Sequence, residues 1–259
     1  MIDVPPPKLY KYQSCNEYTF NNLRKGCLWF AKPQSFNDPF DCDVNFQVTD
    51  VTQENLISIF NDMRKTVPNK KEFDRKYIHN GKVNALFESA VINASLNATN
   101  EVKKKWLKIG VTCFSEKNDD ILMWSHYSSS HHGFCLEFDT RYSPFIEQDK
   151  ETLIKVDYSD SYPQLDLREV ASNKVSSLPK RMLGVKSSHW SYECEWRIFS
   201  DYGGVELPYE STALAGIYLG CNISGENKKT LRSILGTSIT FYEMQKSKTE
   251  FKVTEKEIR

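Results

Sequence analysis

The sequence predicts an α+β fold: a mixed, largely antiparallel sheet, continuous or split, with a helical insertion at about residues 52–108. Three observations predict it. From Gly110 onward, short runs rich in Val, Ile, Phe, Tyr and Trp recur between turn-forming residues, as half-buried strands do. Between residues 52 and 108 the apolar spacing changes to the helical period, with Leu56, Ile59, Phe60 and Met63 on one stripe. Strands and helices interleave irregularly, without a repeating βαβ beat or a GxGxxG fingerprint, which disfavours a doubly wound nucleotide fold.

Taken in order, KLYKY (8–12) reads as a short first strand. Ser14 with Glu17 matches a capping box and opens a helix that Gly26 ends. CLWFA (27–31) is a strand stopped by Pro33, and the Asn-, Asp- and Pro-dense loop QSFNDPFDCD (34–43) is ordered by Asx-type turns. After the helix carrying Leu56, further helices are expected around 70–79, 82–98 and 101–108. Strands follow at 111–115, 133–139, 152–158, 192–199, 215–220, 238–244 and 251–255, punctuated by helices at about 119–127, 168–183 and 225–235.

Composition narrows the function classes. A length of 259 residues does not by itself decide between one large domain and two small ones; the element order is read as a single domain over 1–259, with the helical stretch as a cap. Lys plus Arg equals Asp plus Glu at 34 each, so no whole-molecule field draws nucleic acid or membrane, and any polyanion site must be local. No apolar run approaches the roughly 18 residues of a membrane span. MIDVPPPKLY lacks a signal-peptide layout, so a cytoplasmic location and no membrane partner are expected. Seven cysteines without a CxxC pair read as reduced thiols, which leaves the NxS/T matches at Asn93, Asn97 and Asn222 without meaning.

The segment SHWSYECEWRIF (188–199) raises the chemical question. In a strand, Glu193 and Glu195 share one face, with Tyr192, Cys194 and Trp196 on the other. Carboxylates in an apolar run are paired or used. One reading is a catalytic pair; the other is a salt-bridged edge strand in which Glu195 and Arg197 face a basic neighbour. His126 with His131 or His132 matches no common zinc spacing, and no metal is expected. There is neither a GxSxG elbow nor a Walker A loop. Cys113, Cys135 and Cys194 read as small core residues, and the basic runs Arg64–Lys76 and Lys103–Lys108 as solvated helix faces.

LYKY (9–12), LWFAKPQSFNDPFD (28–41), VTCFSE (111–116), LMWSHYSSSHHGFCLEFD (122–139) and KSSHWSYECEWRIF (186–199) together resemble the bacterial DUF2971 family, named for its unknown function. The resemblance runs in order over nearly the whole chain. More distantly, LYKY, then GCLWFAKPQSF, then a late ECE is similar to ADP-ribosyltransferases of the diphtheria-toxin, poly(ADP-ribose) polymerase and DarT types, which hold NAD on a split antiparallel sheet. Two departures stand out: Lys11 replaces the usual Arg or His, and no Ser-Thr-Ser triplet is present.

That second resemblance implies an NAD-consuming enzyme, with NAD as substrate, acting as a defence or toxin effector on nucleic acid or protein. It casts Glu195 as the charge that stabilises an oxocarbenium-like state and Glu193 as the group that holds or deprotonates the acceptor. Trp29 or Phe30 would stack on nicotinamide, and His126 or Tyr127 would bind ribose hydroxyls. Tyr10, Lys11, Tyr12, Ser35, Asn37, Asp38 and Trp124 complete the implied nucleotide site. Two other readings stay open: a non-catalytic nucleotide- or partner-binding module, and a metal-dependent phosphoester hydrolase using Asp38, Asp41 and Asp43.

Overall fold

The strand predicted from KLYKY becomes an inner strand of the sheet. In chain order the elements are β1 (Lys8–Gln13), α1 (Glu17–Lys25), β2 (Cys27–Phe30), β3 (Val48–Thr49), α2 (Gln53–Thr66), α3 (Lys70–Tyr77), β4 (Ile78–His79), β5 (Lys82–Val83) and α4 (Ala85–Trp106). Then come β6 (Gly110–Ser115), α5 (Ile121–Tyr127), β7 (Phe134–Asp139), β8 (Leu153–Lys155), β9 (Asp157–Ser159), β10 (Leu165–Asp166), β11 (Val185–Ser187) and β12 (Glu195–Ser200). The last are β13 (Val205–Pro208), β14 (Leu214–Leu219), α6 (Gly225–Leu235), β15 (Thr240–Lys246) and β16 (Val253–Ile258). The computed structural model describes residues 4–43, 48–146, 153–163, 165–166 and 183–258. Two compact units are distinguished: Met1–Asp41 with Lys108–Asp160 and Lys186–Arg259, and Cys42–Leu107 with Ser161–Val185.

The first unit holds an eight-stranded sheet in the order β16-β15-β14-β7-β1-β6-β12-β8. Its pairings are antiparallel except β14 with β15, which are parallel and have α6 between them in the chain. The fold is therefore α+β, as the interleaving of elements predicts. Alternation decides what each face carries. Leu9, Phe114, Leu136 and Trp196 pack on Phe20 and Leu23 of α1 and Leu231 of α6. Tyr12, Cys135, Tyr218 and Met244 pack on Met123 and Trp124 of α5.

In the second unit, Leu56, Ile59 and Phe60 of α2 pack against Val83, Phe87 and Val91, and Phe73 stacks on Phe60 at 4.9 Å. Met63, expected on the same stripe, is exposed. Two expectations about this stretch are corrected. Asn80 and Gly81 take φ of +48° and +74° and turn β4 into β5 as a two-residue hairpin, where a helix was expected to begin at 82. The helix α4 then runs unbroken where two were expected, because neither Gly nor Pro interrupts residues 85–106.

Other boundaries shift for local reasons. The capping box of α1 is built by Asn16 and Thr19 rather than Ser14 and Glu17, while Gly26 ends the helix in the left-handed conformation as predicted. The strand expected at 152–158 is divided at Val156 into β8 and β9. The strand expected at 192–199 begins at Glu195: Ser188–Glu193 is a 3-10 turn, and Cys194 has φ +45°. Glu193 and Glu195 are therefore not alternate residues of one strand. The helix expected at about 168–183 lies outside the described residues, Leu183 excepted.

After α5 the chain turns through Ser129, Ser130 and His131, all at positive φ, and Gly133 leads it back into the sheet at Phe134. A Cβ at Gly133 would sit 2.1 Å from the Gln13 carbonyl oxygen, which belongs to backbone and cannot swing away. Gly133→Ala is expected to cost about 1–3 kcal/mol or more in urea unfolding. Gly225→Ala, where a Cβ meets nothing within 4 Å, is the neutral control. Equal stability of the two variants would refute this packing argument.

Candidate functional site

The face of the sheet that carries Tyr10 and Tyr12 also carries Ser115 and Glu195, because Ser115 of β6 sits opposite Tyr10 on one side and Glu195 on the other. Arg197 follows two residues on, opposite Cys113, and so shares that face. A cavity of about 170 Å³ lies over this row. Tyr10, Tyr12, Met123 and Tyr127 line it beside Phe36 and Asn37, and Asp41, Lys186, Glu193 and Glu195 supply its charged lining.

Local structure explains how an acid that is not on the strand reaches the same place as one that is. The Ser115 hydroxyl donates to the Glu193 carbonyl at 2.6 Å, anchoring the end of the 3-10 turn to β6. The left-handed residue Cys194 then reverses the chain so that the Glu195 amide donates to the Tyr158 hydroxyl at 2.9 Å and β12 can start. Tyr127, the last residue of α5, donates its hydroxyl to Glu193 Oε1 at 2.5 Å. Asp120 caps that helix through the amides of Leu122 and Met123.

Five charged side chains meet here, Arg197 and the four of the lining. The Lys186 ammonium lies 2.5 Å from Glu193 Oε2, 3.2 Å from Glu195 Oε2 and 3.3 Å from Asp41 Oδ2. Arg197, with no exposed side-chain surface, donates from Nε to Glu195 Oε1 at 2.8 Å, and from Nη2 to Glu195 Oε2 at 3.0 Å and Asp41 Oδ2 at 2.7 Å. This bidentate arrangement is the strong form of the carboxylate–guanidinium pair. Among the described residues, three acids against two cations leave one excess negative charge if all are ionised.

The surroundings decide where that excess goes. Burial would raise the Glu195 pKa, but Arg197 and Lys186 outweigh it and hold the carboxyl well below the usual range. Among the described residues Glu193 has Lys186 alone as a cationic partner, and burial, helped by the neighbouring Glu195 charge, pushes its pKa up to about 7. Burial also works against the Lys186 ammonium, yet Glu195, Asp41 and Glu193 hold it charged. Burial pushes the Tyr127 hydroxyl upward as well, with Glu193 adding to the effect. Glu195 is thus favoured as an anion, whereas the carboxyl of Glu193 is shifted upward toward neutrality.

The residues expected from sequence divide into two sets. Tyr10, Tyr12, Asn37, Tyr127, Glu193 and Glu195 come together around the cavity. Lys11 borders it, but its ammonium is bonded to Thr112 Oγ1 at 2.8 Å and the Cys113 carbonyl at 3.0 Å, beside the Phe114 ring. Burial lowers its pKa.

Trp29, Phe30, Ser35, Asp38, Trp124 and His126 do not line the cavity. Trp29 is 45% exposed on β2, which pairs with β13, whereas Phe30 and Trp124 are core residues. Ser35 bonds the Lys32 carbonyl, Asp38 bonds the Phe40 amide in the expected Asx turn, and His126 lies beside Trp190 and Tyr192. Lys186, Asp41 in its pairing role, and Ser115 were not anticipated. Lys186 lies within the KSSHW block, but its nearness to Asp41 depends on the fold.

Two further sequence readings meet this geometry. Among the described residues no group of three or more His, Cys, Asp or Glu is placed to hold a metal ion. Of the three aspartates proposed as ligands, Asp38 caps a turn and Asp41 is paired with Arg197 and Lys186, an arrangement that does not fit a divalent cation. Cys113 and Cys135 are strand thiols whose pKa burial raises well above the usual range, whereas Cys194 stands in the turn. None of the seven cysteines is in a disulfide. No helix among the described residues is long and apolar enough to cross a membrane.

Fold and site together define an α+β protein whose sheet carries a small tyrosine-walled cavity over a buried ion-pair network. Residues 123–198 match the model of a family described as a protein of unknown function, DUF2971, so the resemblance read from the sequence holds over that stretch. The matched span includes Tyr127, Lys186, Glu193, Glu195 and Arg197, while Tyr10, Tyr12 and Asp41 fall outside it. No curated protein and no solved structure matches the chain.

Proposed function

We propose that this chain cleaves a glycosidic bond at a ribosyl centre, as an ADP-ribosyltransferase-like enzyme that consumes NAD and passes the ADP-ribosyl group to nucleic acid, protein or water. The observation that supports this reading is the unequal pairing of two neighbouring acids in one small cavity: Glu195 is held by Arg197 and Lys186, whereas Glu193 meets Lys186 and the Tyr127 hydroxyl, which favours the anion at Glu195 more than at Glu193. Pairs of acids driven apart in this way divide the work of acid–base chemistry.

In the proposed step the nicotinamide–ribose bond breaks and its electron pair leaves with nicotinamide. The positive charge growing on the ribose is stabilised by the field of Glu195. The acceptor attacks the same carbon and gives its proton to Glu193. A volume of about 170 Å³ suits one ring rather than a whole dinucleotide, since sites for larger ligands span roughly 300–1,000 Å³. The phosphates lie outside, away from the carboxylates. An effector role in defence fits such chemistry.

One observation favours a second reading, a non-catalytic nucleotide- or partner-binding module. Both oxygens of Glu195 are occupied by cationic donors, and neither Trp29 nor Phe30 is placed to stack on a ring in the cavity. Incubation of the purified chain with NAD separates the two. The transferase reading expects nicotinamide release above the uncatalysed rate, faster when nucleic acid or protein acceptors are added. Saturable NAD binding without release would leave the binding module.

A further inference from the structure

The 3-10 turn Ser188–Glu193 carries Glu193 to the cavity and also sets two rings beside it. Trp190 and Tyr192 are half-buried and lie 6.0 Å apart between ring centres, and the exposed His126 of α5 stands 6.1 Å from the first and 6.4 Å from the second. The core tryptophans Trp124 and Trp196 are by contrast 0% and 2% exposed. The group adjoins the cavity at two points. Tyr127, which lines it, has its ring 6.3 Å from His126, and the ammonium of Lys186, another lining residue, stands 5.0 Å from the centre of the Trp190 ring. Lys186 takes one face of the indole, and the neighbouring rings meet it at 42° and 66°, so among the described residues no ring stacks flat on Trp190. The Trp190 indole N–H, the Tyr192 hydroxyl and the His126 ring nitrogens have no hydrogen-bond partner among the described residues.

We infer that Trp190, Tyr192 and His126 form a second binding site, continuous with the cavity, that stacks a neutral, flat nitrogen heterocycle of the nucleobase class. Three points select that class. Every base has a π-face that stacks on indole and phenol rings. A base also carries ring nitrogens and exocyclic groups that pair with the uncommitted N–H and O–H groups, which a hydrocarbon ring would leave unpaired. A cationic ring is a poorer occupant, because Lys186 already sets a positive charge against the same indole. The setting rests on the proposed function: the cavity of about 170 Å³ takes one ring of a dinucleotide, and the rings at its rim take the other. The base belongs either to that dinucleotide or to a nucleic acid strand that serves as acceptor, and both present the same chemistry.

The test uses the whole protein and four probes, adenosine, ribose, ADP-ribose and a short single-stranded oligonucleotide, in titration calorimetry or ligand-observed NMR. Adenosine is expected to bind at millimolar concentration and at least about 5-fold more tightly than ribose, the smaller effect of one base–aromatic stack. Photolabelling with 2-azidoadenosine and peptide mapping then locate the base: the label is expected on the peptides that bear Trp190 and Tyr192 or His126, and free adenosine should suppress it. Trp190→Leu keeps apolar bulk without a flat ring and should weaken adenosine about 5- to 150-fold, whereas Trp190→Phe should restore most of the affinity. Packing alone would move the melting temperature and leave the ratio of adenosine to ribose binding unchanged. Trp29→Leu, which removes the 45% exposed tryptophan of β2, should bind adenosine as the natural protein does.

If ADP-ribose competes with adenosine and shares its loss in Trp190→Leu, the base is the dinucleotide's. If the oligonucleotide does so and ADP-ribose does not, the base is the acceptor's. Competition by neither overturns the inference, as do equal binding of adenosine and ribose, no adenosine binding at millimolar concentration, or label confined to other peptides. The labelling needs no variant and decides the matter if Trp190→Leu does not fold. Nicotinamide release from NAD without base binding at these rings would defeat this inference alone. Base binding there without release would defeat the proposed function alone.

Discussion

Arg197→Met is expected to destabilise the protein by about 3–5 kcal/mol, as removal of one partner from a buried ion pair does. The side chain has no exposed surface and serves two carboxylates, Glu195 and Asp41. Methionine fills much of the space but leaves Lys186, among the described residues, alone against three acids. The deficit should depend on pH, with a definite sign. In the natural protein the Glu195 pKa is depressed below its ordinary 4.5, so its contribution is present above that value and is lost as the solution is acidified. Without Arg197 the folded-state pKa rises, and where burial carries it above the ordinary value, stability is instead lost as pH increases. The gap between natural protein and variant should therefore be wide at pH 8 and narrower at pH 5 in urea unfolding. A loss below about 1 kcal/mol, the scale of an exposed pair, would mean that this network contributes little to the fold.

Glu193→Gln should lower turnover by a factor of about 100 to 10,000, the range for a positioned general acid or base. The stability effect runs the other way. Burial and the adjacent Glu195 charge raise the folded-state pKa of Glu193 from 4.5 to about 7, so the stability linked to its proton is complete below pH 4.5 and is lost as pH rises through 7. Glutamine cannot ionise, and it leaves Asp41 and Glu195 balanced against Lys186 and Arg197. Above pH 7 the variant should melt higher than the natural protein, and an inflection near pH 7, expected in the natural protein's rate profile, should be absent from the variant's. Full activity in the variant, or a lower melting temperature at pH 8, would remove Glu193 from the proposed mechanism.

The strands were legible because their signal is local. KLYKY, CLWFA and the apolar runs after Gly110 alternate or carry β-branched and aromatic residues, and most begin and end within a residue or two of where that pattern does. The Asn80–Gly81 hairpin was legible in principle, since Asn-Gly is a strong two-residue turn signal, but β4 and β5 are two residues each and a helical pattern surrounds them. For the site, acids within an apolar run rightly demanded partners.

What could not be read was the backbone at Cys194, a non-glycine residue in left-handed conformation, which breaks the premise that Glu193 and Glu195 alternate along one strand. Nor could the pairing of Asp41 with Arg197, 156 positions apart, be read from spacing. The sheet order creates that neighbourhood. Arg197, two residues from Glu195, was the one partner that alternation could suggest.

The place of β1 in the sheet order also bears on how the chain is made. Both of its neighbours, β6 and β7, begin about 100 positions or more downstream, beyond the whole segment Cys42–Leu107. At a ribosomal rate of roughly 5–20 residues per second, the strand waits roughly 5–20 s with both hydrogen-bonding edges open. During that interval Leu9 and Tyr12, destined for opposite buried faces, have no sheet to enter. Pairings of such sequence separation form slowly. The part of the chain that supplies the tyrosine wall of the cavity is thus synthesised early and sheltered late.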